Sequence, residues 1–192
     1  WLAICLTMLL GVFCGFFSGA IVAVFKLPAF IVTLVMMNIA RGVAYIYCGG
    51  KTTRIMDESF VRIGNTTIGS IPIPVVYMVI FVVIFAFLLN KTKFGTYIYA
   101  IGGNRESARL SGVPIKKIEI AVFAIAGFMS AFAGIVLSAR MYSGQPSVGD
   151  GHELNAIAAC VLGGVSMSGG VGTIGGTVLG VMVIGIINNG LN

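Results

Sequence analysis

NKTKFGTYIYAIGGNRESARLSGVPIKK, residues Asn90 to Lys117, is the one strongly basic stretch in a chain that is otherwise almost all hydrocarbon. It carries Lys91, Lys93, Arg105, Arg109, Lys116 and Lys117 against a single acid, Glu106, so half of the 12 Lys and Arg sit here. Apolar runs flank it, Ile71 to Leu89 before and Ile118 to Ala139 after. Each is long enough to cross a hydrocarbon layer of about 30 Å. Loops rich in Lys and Arg stay on the cytoplasmic side of a membrane. The run at 71–89 is therefore expected to enter the cytoplasm and the run at 118–139 to leave it.

Composition agrees. The 192 residues are 58% hydrophobic and only 9% charged, against roughly 25% charged in a soluble domain. A chain of this size cannot hide so much apolar side chain in one core, so it reads as all-α, a polytopic helical membrane protein. The net charge of +6 lies in loops beside the apolar runs rather than on one basic face, which excludes a nucleic-acid reading. Cys5, Cys14, Cys48 and Cys160 form no CxxC pair, and three lie inside apolar runs. Neither a zinc site nor a disulfide framework is indicated.

Two further spans precede the basic loop, residues 1–25 and 29–47. In the first, Gly11, Gly15 and Gly19 recur every four residues and offer a small-residue face for close helix contact. Lys26-Leu27-Pro28 turns the chain. The polar connections 48–70 and 140–152 then face outward, and Lys26 falls inside. Asn65-Thr66-Thr67 and Gly69-Ser70 read as turns in the first connection. Residues 153–188 read as short or broken helices. A run at 153–164 is too short to cross alone, Gly163 to Gly170 is a glycine-rich break, and Gly172, Gly176 and Gly180 repeat the four-residue spacing. Trp1 opens mid-hydrophobic with neither an initiator Met nor a basic leader, and Gly190-Leu191-Asn192 stops without a cap. Both ends read as cut, leaving a piece of a longer protein.

No motif supports chemistry of the chain's own. Gly170-Val171-Gly172-Thr173-Ile174-Gly175 fits GxGxxG by letter, but it lies between apolar segments with no acid after it. A broken helix, tolerated at membrane depth only where protein or water surrounds it, is the better reading. GxxxxGK[ST] is absent, Tyr45 standing where the first glycine before Gly50-Lys51-Thr52 would be. His152, the only histidine, reads as a solvated loop residue. Asn38, Arg41, Asn155, Asn188 and Asn189 lie within or beside apolar runs. They either bond between helices or line a polar path.

Inside the basic loop, Gly102 to Gly112 has its own order. Asn104 can cap a helix whose first turn holds Glu106. Ala108, Arg109 and Leu110 suit helix, and Gly112 with Pro114 ends it. Two to three turns between glycine hinges are expected, outside the bilayer. The apolar face is too small for lipid anchoring and suits a groove in another protein.

Pro28 to Leu34, Lys93-Phe94-Gly95, Ala100 to Asn104, Ala108 to Gly112, Glu153 to Ala159, Gly163-Gly164 and Gly169 to Thr173 stand in an order and spacing that is specific as a set. In these blocks the chain resembles the permease subunit of bacterial sugar importers of the ATP-binding-cassette class, the ribose, galactoside and xylose group. The resemblance implies a channel built with a second permease copy, identical or paralogous, in the bacterial plasma (inner) membrane. Its other implied partners are a cytoplasmic ATP-binding subunit and an extracytoplasmic sugar-binding protein. No cofactor is implied for this chain, ATP being used by the partner subunit. The ATPase-coupling residues implied are Gly102, Gly103, Asn104, Arg105, Glu106, Ala108, Arg109, Leu110, Ser111 and Gly112. Thr33, Asn38, Asn155, Ser166 and Thr173 are the candidates for the translocation path. Asn155 stands where relatives often carry Asp, a departure that leaves a charge-based role there unsupported. Branched-chain amino-acid permeases share the architecture but fit the Glu153–Ala159 block and the Gly102-Gly103-Asn104 loop less well. An ion-coupled secondary transporter, the remaining alternative, calls for acids within the spans.

Overall fold

The structure, a computed structural model, describes residues 1–190. Leu191 and Asn192, where the expected uncapped end falls, lie outside the described residues. In chain order the elements are α1 (Leu2–Phe25), α2 (Ala29–Cys48), β1 (Thr53–Arg54), α3 (Glu58–Asn65), β2 (Thr67–Ile68) and β3 (Ile71–Pro72). Then follow α4 (Ile73–Lys91), α5 (Lys93–Gly103), α6 (Arg105–Leu110), α7 (Ile115–Arg140), β4 (Ser143–Gly144), α8 (His152–Leu162) and α9 (Ile174–Gly190). The fold is all-α and polytopic. Helices α1, α2, α4 and α7 are long and apolar enough to cross a membrane. The 19 residues of α4 give about 28 Å of helix. No α4 residue is fully buried, so much of its apolar surface is left to lipid or to further protein.

The chain divides into two compact units, Trp1–Tyr77 with Lys116–Val148, and Met78–Ile115 with Gly149 onward. In the first unit, α1 runs antiparallel to α7 along its glycine face. A Cβ on Gly11 would lie 2.5 Å from Ala131 Cβ, and one on Gly19 would lie 2.9 Å from Phe123 Cβ. The spacing of Gly11, Gly15 and Gly19 is thus used for backbone approach, because nothing larger fits at the crossing. The turn after α1 rests on Lys26, whose φ of 55° places it in the left-handed region while its N–H caps the helix on the Val22 carbonyl.

The connection 48–70 holds more structure than its polar letters suggest. Asp57 caps α3, its Oδ1 accepting from the N–H of Ser59 at 2.8 Å. The other end of α3 is fixed to α7, where Asn65 Nδ2 donates to the Ala139 carbonyl at 2.7 Å. Asn65 therefore closes a helix rather than opening a turn. Gly69, at φ 64°, makes the tight turn between β2 and β3. This hairpin takes up Ile71 and Pro72, which is why α4 starts at Ile73 and not at 71. Thr53 and Arg54 pair antiparallel with Gly144 and Ser143, so the two connections expected to share one side of the membrane are joined to each other.

In the second unit the chain reverses sharply after α4. Thr92 Oγ1 caps α5 by accepting from Gly95 N–H at 3.4 Å. Gly95 is pressed onto the Leu89 backbone, where a Cβ would come 2.6 Å from Leu89 Cα. Helices α8 and α9 form an antiparallel hairpin with its tip at residues 163–173. Gly176 meets the Gly163 carbonyl and Gly180 the Ala159 carbonyl, too close in each case for a side chain. At 11 residues, α8 is about 16 Å long, roughly half the apolar thickness of a bilayer.

Two expectations for the basic loop need correction. Gly102 and Gly103 are not a hinge, because α5 continues through both and they form its last turn. The helix after Asn104 is six residues, less than the two to three turns expected. Backbone bonding explains both: Asn104 N–H still donates to the Ala100 carbonyl at 3.1 Å, so α5 ends only at the residue that caps α6.

Candidate functional site: the segment from Gly102 to Gly112

The segment is built from its caps inward. Asn104, extended at φ −155°, turns its side chain back so that its oxygen accepts from Ser107 N–H at 2.9 Å. At the other end Val113 N–H donates to the Ala108 carbonyl at 3.1 Å and Gly112 N–H to the Arg109 carbonyl at 3.0 Å. With Gly112 at φ 79°, this is the double closure that lets a glycine in the left-handed region end a helix. Ser111 Oγ donates to the Ser107 carbonyl at 2.9 Å and closes the last turn further. A six-residue helix has little stability of its own, and these bonds at both ends compensate.

What the segment presents is set by Ala108 and Leu110. Ala108 is buried, at 4% exposure, and anchors α6, while Leu110 is 83% exposed. Arg105, Glu106, Ser107 and Arg109 are exposed as well. Glu106 and Arg109 pair one turn apart at 3.1 Å, which holds both side chains along the helix. The result is a short, doubly capped helix offering one large apolar side chain beside alternating charges. Surfaces that bind other proteins combine features in this way. Gly103 is exposed, with open space where a Cβ would stand, whereas Gly102 is packed against Gly169 and Gly170.

The five path candidates are divided between the two units. Thr33 Oγ1 donates to the carbonyls of Ala29 and Phe30, and Asn38 Nδ2 donates to Leu34 O, all within α2. Asn155 is exposed on α8. Ser166 Oγ accepts from Ser168 N–H, and Thr173 Oγ1 accepts from Gly176 N–H, where it caps α9. Thr33 and Asn38 belong to the first unit and the other three to the second. Thr33, Ser166 and Thr173 thus have local backbone duties that account for a polar residue at each position.

One feature was not foreseen from the letters. A cavity of about 470 Å³ lies in the first unit among α1, α3 and α7, with Asp57, Ser59 and Ser138 among its lining residues. The Asp57 cap, followed by Phe60 and Ile63 on one face of α3, is the sequence signal that could have placed its floor.

Among the described residues four helices are long and apolar enough to cross a membrane, a short doubly capped helix lies between two of them and a glycine-tipped helical hairpin follows, the architecture of a polytopic membrane protein. The chain belongs to the family described as branched-chain amino acid transport system / permease component, which matches residues 1–192. It is 47% identical over 175 residues to the L-arabinose transport system permease protein of Escherichia coli, covering 91% of this chain and 53% of that protein. It is 43% identical over 196 residues to the ribose import permease protein of Haemophilus influenzae, covering 100% of this chain and 61% of the relative. The ribose import permease of Bacillus subtilis is 42% identical over 177 residues, covering 91% and 55%. The chain therefore spans little more than half the length of these relatives. No solved structure gives a significant match. With its apolar helices, this kinship makes the chain a multi-pass protein of the bacterial plasma (inner) membrane.

Proposed function

We propose that this chain is the membrane-embedded permease part of an ATP-driven monosaccharide importer, with α6 as the element that docks into a cytoplasmic ATP-binding subunit. One observation carries the docking: Leu110 stands 83% exposed on a doubly capped helix whose only buried residue is Ala108. A leucine so placed, on a polar helix and packed on nothing within the described residues, fits a groove in a partner. The sugar class is supported by the relatives, which are named for L-arabinose and ribose transport although the family's description names branched-chain amino acids.

In this reading the ATP-binding subunit burns the fuel, and the permease holds no cofactor. An extracytoplasmic binding protein delivers the sugar to the side bearing β1, β4 and α3. A second permease copy, identical or paralogous, completes the path, which suits a chain whose α4 has no fully buried residue. Closure of the ATPases moves α6 and reorients the packed helices, so that the path opens alternately to either side. The permease needs little affinity for sugar, because the binding protein supplies specificity; few polar side chains in the spans are free of local duties. Thr33, Asn38, Asn155, Ser166 and Thr173 are the side chains proposed to face the path.

The test is a full-length permease carrying Glu106→Ala with Arg109→Ala, and separately Leu110→Ser, purified with its ATPase. Each change should weaken co-purification of the ATPase and reduce sugar import. Unchanged association together with unchanged import would exclude α6 as the docking element.

A further inference from the structure

The end of α5 and the tip of the α8–α9 hairpin meet backbone to backbone. A Cβ on Gly102 would overlap the Gly170 nitrogen and lie 2.8 Å from Gly170 Cα. A Cβ on Gly170 would in turn lie 2.8 Å from Gly103 N and 2.9 Å from Gly102 C. Gly169 and Gly170 hold φ values of 91° and 76°, which side chains rarely adopt. One turn earlier in α5, the Tyr99 hydroxyl donates to the Gly172 carbonyl at 2.8 Å. The tip is also closed on itself, with Ser166 N–H donating to the Val171 carbonyl at 2.9 Å. The contact thus has a bonded edge, a glycine–glycine centre and a rigid turn behind it. Only Asn104 separates it from α6.

We propose that Tyr99 and Gly102 on α5, with Gly169, Gly170 and Gly172 on the hairpin tip, form a latch that delivers displacement of α6 to the α8–α9 hairpin. Tyr99, Gly169 and Gly170 are positioning residues for transport and touch neither ATP nor sugar. The physical reason is the lack of side chains at the centre. Backbone packed on backbone has no rotamers through which a displacement can be absorbed, and a close-packed contact transmits strain. The latch rests on the reading of α6 as the docking helix.

The experiment uses the full-length permease in proteoliposomes with its ATPase and sugar-binding protein, and reads ATP hydrolysed per sugar imported. Tyr99→Phe removes one hydroxyl and should raise this ratio about fivefold, the equivalent of one lost hydrogen bond. Gly170→Ala places a Cβ against Gly103 and should raise it on the order of tenfold. Gly175→Ala, whose Cβ meets nothing within 4 Å, should leave it unchanged. In the two latch variants the ATPase should still co-purify, which separates failed transmission from failed docking. Ratios equal to the unaltered protein's in both latch variants would overturn the latch. Should Gly170→Ala not reach the membrane, Tyr99→Phe alone decides. A third arm checks the contact itself: Gly103→Cys with Val171→Cys, in a chain with Cys5, Cys14, Cys48 and Cys160 replaced by serine, should join through a short bis-thiol reagent. Absence of that link overturns the latch, whereas formation of the link by the double-cysteine chain, together with failure of the unsubstituted permease to bind the ATPase, overturns the docking reading instead.

Discussion

Two glycines on α9 should respond in opposite directions to the same substitution. A Cβ on Gly180 would overlap the Ala159 carbonyl oxygen and lie 2.9 Å from Gly163 N and 3.0 Å from Ala159 C. All three atoms are backbone, so no rotamer change relieves them. Carbon contacts settle near 3.5–4.0 Å, so α9 must withdraw from α8 by roughly 0.5 Å or more. Overpacking of this kind costs about 2–3 kcal/mol, and alanine's better helix propensity returns about 1 kcal/mol. Gly180→Ala should therefore lose about 1–2 kcal/mol. Gly185, on the same helix, has open space where its Cβ would stand, and Gly185→Ala should gain up to about 1 kcal/mol. Equilibrium unfolding of the full-length protein in detergent micelles, followed by circular dichroism, should separate the two variants by about 2–3 kcal/mol. If Gly180→Ala is as stable as Gly185→Ala, the close α8–α9 crossing is wrong.

Three other outcomes follow from the geometry. Asp57→Ala removes the α3 cap and should cost about 1 kcal/mol, read as faster trypsin cleavage after Arg62, while Asp57→Asn should behave like the unaltered protein. Asn65→Ala breaks the bond to Ala139 O that fixes α3 to α7 and should cost about 1 kcal/mol, measured in the same unfolding assay. In a background without native cysteines, Leu110→Cys should resist a membrane-impermeant thiol reagent in intact cells and react after permeabilisation; reaction in intact cells would reverse the orientation and remove α6 from reach of an ATPase.

The membrane-crossing helices were legible because insertion is a local test. About 20 apolar residues satisfy it wherever they stand in the chain, and the helices found begin and end within three residues of the apolar runs. Caps were legible for the same reason: Asn104 and Gly112 act through bonds to neighbours a few residues away. The helix α3 was missed because its polar letters outweighed the Asp57 cap. The helical continuation of α5 through Gly102-Gly103 was missed because paired glycines read locally as a hinge.

Recurrence of glycine every fourth residue announced that α1 and α9 would be approached closely, and said nothing about what would approach. Only the tertiary structure matched Gly11, Gly15 and Gly19 to α7, Gly176 and Gly180 to α8, and Gly102 to the hairpin tip. It also joined Thr53-Arg54 to Ser143-Gly144 across the chain. The division has one physical cause. Partition into lipid and helix capping depend on residues within a turn or a span of each other. A backbone contact between segments some 13 to 120 residues apart exists only once both helices are in place, and glycine permits that contact without naming its partner.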